Sequence, residues 1–346
     1  HRGDAISNEA IVMRRHFRAW GYASEIFCEP RRVMAELRRE VCDVTAAPAE
    51  CRPGDVVLLH LSTGSMVNDV FRSLACRRAL LYHNISPPNY FRFFQPATAL
   101  LLTQGLAQID ALAGAAQVNL ADSRFNAAEI EARGFASVSV LPLMLDFDAL
   151  GASPDSAVLK RFRDGLKNIL FVGRCAPNKK IEDVLAAFAV FQRTVEPASR
   201  LILAGSHGGM ERYYSYLKTR VMKLELRNVV FTGSVPQAQI NACYRAADLF
   251  LCLSEHEGFG IPLMESMFFD VPVLARAAAA VPETLDGAGV LVGAGEYPLI
   301  AELMGELIGN PALRAAVLAR QRRRLAEFRG RDLDAELRRH LAPLLA

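Results

Sequence analysis

No stretch of eighteen uncharged apolar residues occurs in the chain, so no segment has the length and apolarity of a membrane-spanning helix. No signal-peptide or stop-transfer pattern is visible either. Cysteines number seven, at positions 28, 42, 51, 76, 175, 243 and 252. They are odd in number, scattered and without zinc spacing, which reads as free thiols of a reducing, cytoplasmic compartment. A net charge of +3 with 22% charged residues is too mild to imply nucleic acid, though it is compatible with weak peripheral attraction to an anionic membrane face. No Gly-x-Gly-x-x-Gly opens a βαβ unit, which argues against a dinucleotide-dependent oxidoreductase. Short repeats and low-complexity tracts are absent.

What is present is alternation. The 346 residues, half of them apolar, suit two α/β domains. Apolar runs predict strands at 24–28, 55–61, 79–83, 117–121 and 137–141, with helices around 5–20, 66–76, 97–114 and 124–133. Residues 142–154, with two prolines and a glycine, break the pattern and read as an interdomain linker. Strands resume at 168–172, 200–204, 228–232, 248–253, 271–274 and 289–292. Asn310-Pro311 opens a basic amphipathic helix, and a last helix is expected over 331–343. The chain begins at His1 and runs at once into a helix, so a preceding strand of roughly ten residues is expected to be missing from this sequence.

The most informative stretch is Ser254-Glu-His-Glu257-Gly258-Phe259-Gly260-Ile-Pro262-Leu-Met-Glu265-Ser266, after the apolar run 248–253. Gly258 and Gly260 let the backbone turn and approach a ligand, and Pro262 suits a helix start. A strand, a glycine loop and a helix N-terminus make an anion site. Glu257 and Glu265 flank it, and carboxylates accept hydrogen bonds from vicinal hydroxyls. Together they suggest a sugar, a diphosphate and a ribose in a row. A second loop follows the strand 168–172: Gly173-Arg174-Cys-Ala-Pro-Asn-Lys179-Lys180. Arg174 and Lys179 stand where open α/β sheets bind ligands, and their charges can neutralise a leaving diphosphate.

Two carboxylates spaced eight apart around Gly-Phe-Gly, with the Gly-Arg…Lys loop before them, resemble the signature of retaining glycosyltransferases of family 4. Lys180 departs from that pattern, which more often has glycine there. The resemblance implies the GT-B fold: two Rossmann-like, doubly wound domains facing across a cleft. On that view 1–148 is the acceptor-side domain, 149–330 binds the nucleotide sugar, and 331–346 crosses back to the first domain.

The resemblance also implies roles. Arg174 and Lys179 bind the diphosphate, Glu257 the sugar hydroxyls and Glu265 the ribose, with the amides of Phe259 and Gly260 assisting. Gly173, Gly205 and Ser206 lie near the diphosphate or base, and Gly233 near the base. His83, leaving a strand in Tyr82-His83-Asn84, reaches the transferred sugar. Gly3 and Asp4 match the family's first glycine turn. Met13–Trp20 and Tyr90–Phe94 are basic-aromatic stretches whose apolar residues are better placed in the core than on a membrane. Asp146-x-Asp148 and Asp332-x-Asp334 fall in the linker and on a terminal helix, so no metal and no cofactor are expected. Tyr82–Asn84, Tyr90-Phe91 and the turn at Gly3 resemble bacterial surface-polysaccharide mannosyltransferases. That implies GDP-mannose rather than a UDP-sugar as donor, and a glycan or polyprenyl-linked acceptor. A nucleotide-sugar 2-epimerase and a non-catalytic nucleotide-sugar binding module are the competing readings.

Overall fold

The computed structural model describes residues 5–33 and 35–345. Gly3 and Asp4 lie outside the described residues. Two compact units emerge. Pro96–Leu145, the chain up to Asn89 and the segment from Asp332 onward make the first; Tyr90–Gln95 and Asp146–Arg331 make the second.

In the first unit a short parallel pair, β1 (Phe27–Cys28) and β2 (Cys42–Asp43), stands apart from a four-stranded parallel sheet. That sheet runs β3 (Val56–Leu61), β4 (Arg77–Tyr82), β5 (Val118–Ala121), β6 (Val138–Val140) in spatial as well as chain order. Its strands are short apolar runs, as expected of a parallel sheet covered on both faces. The helices Ala5–Ala19 and Leu333–Leu345 pack on it, joining Met13, Leu337, Leu341 and Leu344 to Leu81, Leu120 and Leu141 in one cluster. Phe17 and Trp20, from a basic-aromatic stretch, pack against that cluster.

The second unit is a six-stranded parallel sheet of β7 (Lys167–Val172), β8 (Ser199–Ala204), β9 (Val229–Gly233), β10 (Leu249–Cys252), β11 (Val273–Arg276) and β12 (Val290–Val292). The spatial order is β12-β11-β10-β7-β8-β9, the doubly wound Rossmann order. Chain direction across the sheet reverses between β7 and β10, and ligands of such sheets bind outside the carboxyl ends of the strands at that point. The loops carrying Arg174, Lys179 and Glu257 leave those two strands. The segment read as a linker is partly structured: Asp146 caps the helix Phe147–Gly151 by accepting from the Ala149 amide at 2.9 Å. Buried Asn241 then donates to the Ala149 carbonyl at 3.0 Å. Among the described residues no helix is long and apolar enough to cross a membrane.

Candidate functional site

At the carboxyl end of β7 and β8 two glycines bring the backbones together. Gly205 has φ +147°, and a Cβ there would sit 2.1 Å from the carbonyl oxygen of Gly173. Only glycine fits. The Cys175 amide then donates to the Ser206 carbonyl at 2.8 Å, and Gly205 bridges Gly233 at the end of β9. The three glycines named from the sequence therefore form one floor. Phe171, Cys175, Leu203, Tyr214 and Phe231 line a small recess beside it. Burial pushes the Cys175 thiol up to about 12, leaving it an inert wall. The exposed Ser206 turns its hydroxyl back on the Gly208 amide at 3.1 Å. Arg174, also exposed, donates to the Gly208 carbonyl at 3.1 Å.

Lys179 ends a single 3-10 turn, Pro177–Lys179, whose proline fixes its first residue. The Lys179 ammonium meets the Glu257 carboxylate at 2.5 Å. Both are largely shielded from solvent, at 21% and 12% side-chain exposure, so the pair is better held than a surface bridge. Buried Asn178 stitches the two loops from its neighbouring position. It donates to the His256 carbonyl at 3.2 Å and accepts the Glu255 amide on its own carbonyl at 3.0 Å.

Lys180 follows in the left-handed region, φ 49°, at the start of the helix Ile181–Thr194. This is the position where the family more often has glycine, and the same backbone geometry explains that choice. Burial works against the Lys180 charge, but Glu182, Asp183 and Glu255 outweigh it and raise its pKa. His256 carries the opposite shift. Burial, then the charge of Lys179, bring it to about 4, so it is neutral at pH 7.

Gly260, in the left-handed region at φ 91°, turns the chain into the helix Ile261–Phe268. Pro262 is its second residue rather than its first, and Phe259 is buried beside the turn. Glu265 lies in this helix, its carboxyl raised by burial and only partly brought back by a hydrogen bond from Tyr244. That hydroxyl reaches Glu265 Oε2 at 2.6 Å, and the Tyr244 ring stacks on Phe269 at 5.0 Å. Asn178 and Tyr244 were missed in the sequence. Nothing in one chain's spacing tells that a residue on the helix before β10 will reach a carboxylate on the helix after it.

His83, in the first unit, is placed differently from a residue open to ligand. Its side chain is 1% exposed, its Nε2 lies 2.9 Å from His60 Nδ1, and its Nδ1 lies 3.3 Å from Asp122 Oδ2 and 3.6 Å from Glu9 Oε2. Burial, then His83, depress His60 to about 3. Burial, then the charge of Asp122, hold the Glu9 carboxyl well above its usual range, and the Met144 amide offsets only part of this. Glu9 and Asp122 drew no attention in the sequence, because each comes from a separate element and no spacing links them.

The second unit thus gathers Gly173, Arg174, Lys179, Gly205, Gly233, Glu257, Gly260 and Glu265 toward the carboxyl ends of its strands, on the loops after β7, β8 and β10, at the end of β9 and on the helix Ile261–Phe268. Residues 158–324 match the family described as glycosyl transferases group 1. Alpha-monoglucosyldiacylglycerol synthase of Streptococcus pneumoniae is 29% identical over 161 residues, 45% of this chain and 35% of that protein. GDP-mannose-dependent alpha-(1-6)-phosphatidylinositol monomannoside mannosyltransferase of Mycolicibacterium smegmatis is 28% identical over 195 residues, 53% of this chain and 50% of that protein. The matches thus span half or less of these two relatives' length. Among solved structures, Anabaena Alr3699/HepE in complex with UDP-glucose superposes with a TM-score of 0.70 at 18% identity, over 87% of this chain and 80% of that one. Residues 158–324 are therefore a glycosyl transferases group 1 segment, and the chain has the GT-B fold and resembles a bacterial mannosyltransferase.

Proposed function

We propose that this chain is a retaining glycosyltransferase that moves a hexose from a nucleotide diphosphate sugar to a glycan or lipid-linked acceptor in bacterial surface-polysaccharide synthesis. The observation that carries the reading is the meeting of Lys179 and Glu257, from loops after β7 and β10, at the point where the sheet reverses. A lysine ammonium has three donors, so one can hold Glu257 while the others face a diphosphate. Arg174 adds a second cation on the same loop. Together they supply the positive charge a departing diphosphate requires, the part a metal plays in other transferases. Glu257 then accepts from sugar hydroxyls and Glu265, positioned by Tyr244, from the ribose. The glycosidic bond to the leaving phosphate breaks on the face where the acceptor oxygen bonds. The leaving phosphate takes the acceptor's proton, so no covalent nucleophile is required.

GDP-mannose is the favoured donor, supported by the Tyr82–Asn84 and Tyr90-Phe91 resemblance and by the mannosyltransferase relative. The test is incubation of the chain with GDP-mannose, UDP-glucose and other nucleotide sugars plus bacterial lipid extract, with mass analysis of products. A hexosyl addition that needs the acceptor is expected. Donor conversion without acceptor would replace this reading with an epimerase, and donor binding without any product would replace it with a binding module. Stabilisation in a thermal shift by UDP but not GDP would remove the mannose assignment.

A further inference from the structure

The segment Tyr90–Gln95 lies between two stretches of the first unit in the chain, yet it packs as part of the second. Gln95 Nε2 donates to the Gly209 carbonyl at 2.9 Å, just before the helix Glu211–Lys223. The Phe94 ring meets buried Tyr213 edge-on at 4.9 Å and Tyr216 at 5.6 Å. The next ring is left uncovered. Phe93 stands against Phe94 at 5.0 Å but is 79% exposed. The expectation that Tyr90–Phe94 turns its apolar residues to the core therefore holds for Phe91 and fails for Phe93.

A single exposed apolar side chain is ordinary, but a continuous apolar surface rimmed by polar groups marks an interaction site. Phe93, Phe94 and Tyr216 form such a row of rings, and Tyr216 is itself exposed. Cations frame it. Arg92 is exposed beside Phe93. On the helix, Arg212 and Lys223 lie four residues before and seven after Tyr216, so the three share one face. Tyr213 and Leu217 turn to the core instead. This helix carries Arg212, Lys218, Arg220 and Lys223 against Glu211 alone. Glu211 is turned back to accept from the Gly209 amide at 2.8 Å. Aromatic rings flanked by lysine and arginine suit the boundary between lipid headgroups and acyl chains, where rings enter and cations meet anionic headgroups. A second copy of the chain fits less well, because two such patches would meet with charge of one sign.

We propose that Arg92, Phe93, Phe94, Arg212, Tyr216 and Lys223 dock the second unit on the surface of a bilayer containing anionic phospholipid. Phe93 enters the boundary, Tyr216 lies at headgroup level and the three cations face the phosphates. A few rings and cations give weak, reversible attachment, on the scale of a single acyl chain. Docking stands apart from the transferase reading, since it needs no turnover. It serves that reading by bringing the chain to the surface where a lipid-linked acceptor resides.

The test is sedimentation of the chain with sucrose-loaded vesicles of phosphatidylcholine, alone or mixed with phosphatidylglycerol. Expected is binding to the mixed vesicles that weakens as salt is raised. Phe93→Ala should reduce it by about tenfold, the worth of an aromatic side chain withdrawn from water. Arg92→Gln should reduce it by about fivefold, the worth of one cation at an anionic surface. Leu291→Ala, at an exposed leucine on β12, the sheet edge opposite β9, should bind as the parent does. The thermal shift given by nucleotide should be unchanged in Phe93→Ala, which separates loss of docking from loss of the donor site. A Trp20→Phe, Phe93→Trp double variant moves the chain's one tryptophan to the patch. Its emission should shift to the blue with mixed vesicles and be quenched by bromine on the acyl chains. The proposal is overturned if the parent does not sediment with mixed vesicles, if Phe93→Ala binds them equally well, or if vesicles leave the emission at position 93 unmoved. A dimer of the parent that Phe93→Ala converts to monomer would assign the patch to a second copy and overturn it as well.

Discussion

Lys179 is where the proposed chemistry is most exposed to a single change. Its ammonium is held by Glu257 and is not buried in the core, so Lys179→Ala removes charge without opening a cavity. The expected outcome is a fall in transfer rate of about a hundredfold or more, the scale of losing one transition-state donor. Tm should move by no more than a few degrees. Measuring kcat and KM for the donor checks this, and near-normal kcat would remove the role assigned to Lys179. His256, in the same loop, makes the protein acid-sensitive. Its folded pKa of about 4 lies below its ordinary 6.5, so between those values the unfolded chain binds a proton that the folded chain refuses. Stability contributed by this neutral histidine is therefore complete above that window and is lost as pH falls through it, by about 3 kcal/mol in all. His60, depressed to about 3, adds a slope of the same sign. His256→Asn should flatten the acid limb of a Tm-against-pH curve by its share only, and an unchanged limb would show that His256 is protonated in the folded protein.

At the scale of elements, the apolar runs were enough. The strands read at 168–172 and 200–204 became Lys167–Val172 and Ser199–Ala204, because buried parallel strands leave continuous Val, Ile and Leu in the sequence. The two-residue β2 was not legible, since Cys42-Asp43 has no apolar periodicity and exists only by pairing with β1. Residues 142–154 looked like pure linker because prolines dominate the pattern, while the Asp146 cap and Asn241 that shape a helix there act through tertiary contact. The glycine turns were legible by composition, but not their mutual contact. That contact yields a prediction. Gly205→Ala places a methyl 2.1 Å from the Gly173 carbonyl and keeps a residue at φ +147°, so β7 and β8 must part at their ends. Overpacking and strained backbone each cost about 1–3 kcal/mol, and the displaced loop carries Arg174. Chemical denaturation should show a loss of at least about 2 kcal/mol together with weaker nucleotide binding. An alanine variant of parental stability would mean that the two backbones do not lie in contact.

For the whole molecule, chain order and unit membership diverge, and that divergence can be measured. The segment from Asp332 belongs to the first unit although nearly two hundred residues of the second precede it. Leu337, Leu341 and Leu344 are 0%, 1% and 2% exposed, and they pack with Met13, Leu81 and Leu120, so this helix is a wall of the first unit's core. Its destination came from the family resemblance and not from the residues, because an amphipathic stripe states that a face is buried and not against what. Leu341→Ala should lower stability by about 2–5 kcal/mol through lost burial and a cavity. Truncation after Arg331 removes all three leucines and leaves Leu81 and Leu120 facing water. The first unit should then lose its cooperative transition, seen as faster amide exchange across β3–β6. The second unit, whose sheet and loops Gly173–Lys180 and Ser254–Gly260 contain no residue of the deleted segment, should keep slow exchange in β7–β12 and its nucleotide-dependent thermal shift. Equal protection of both units after truncation would show that the last helix is not part of the first core.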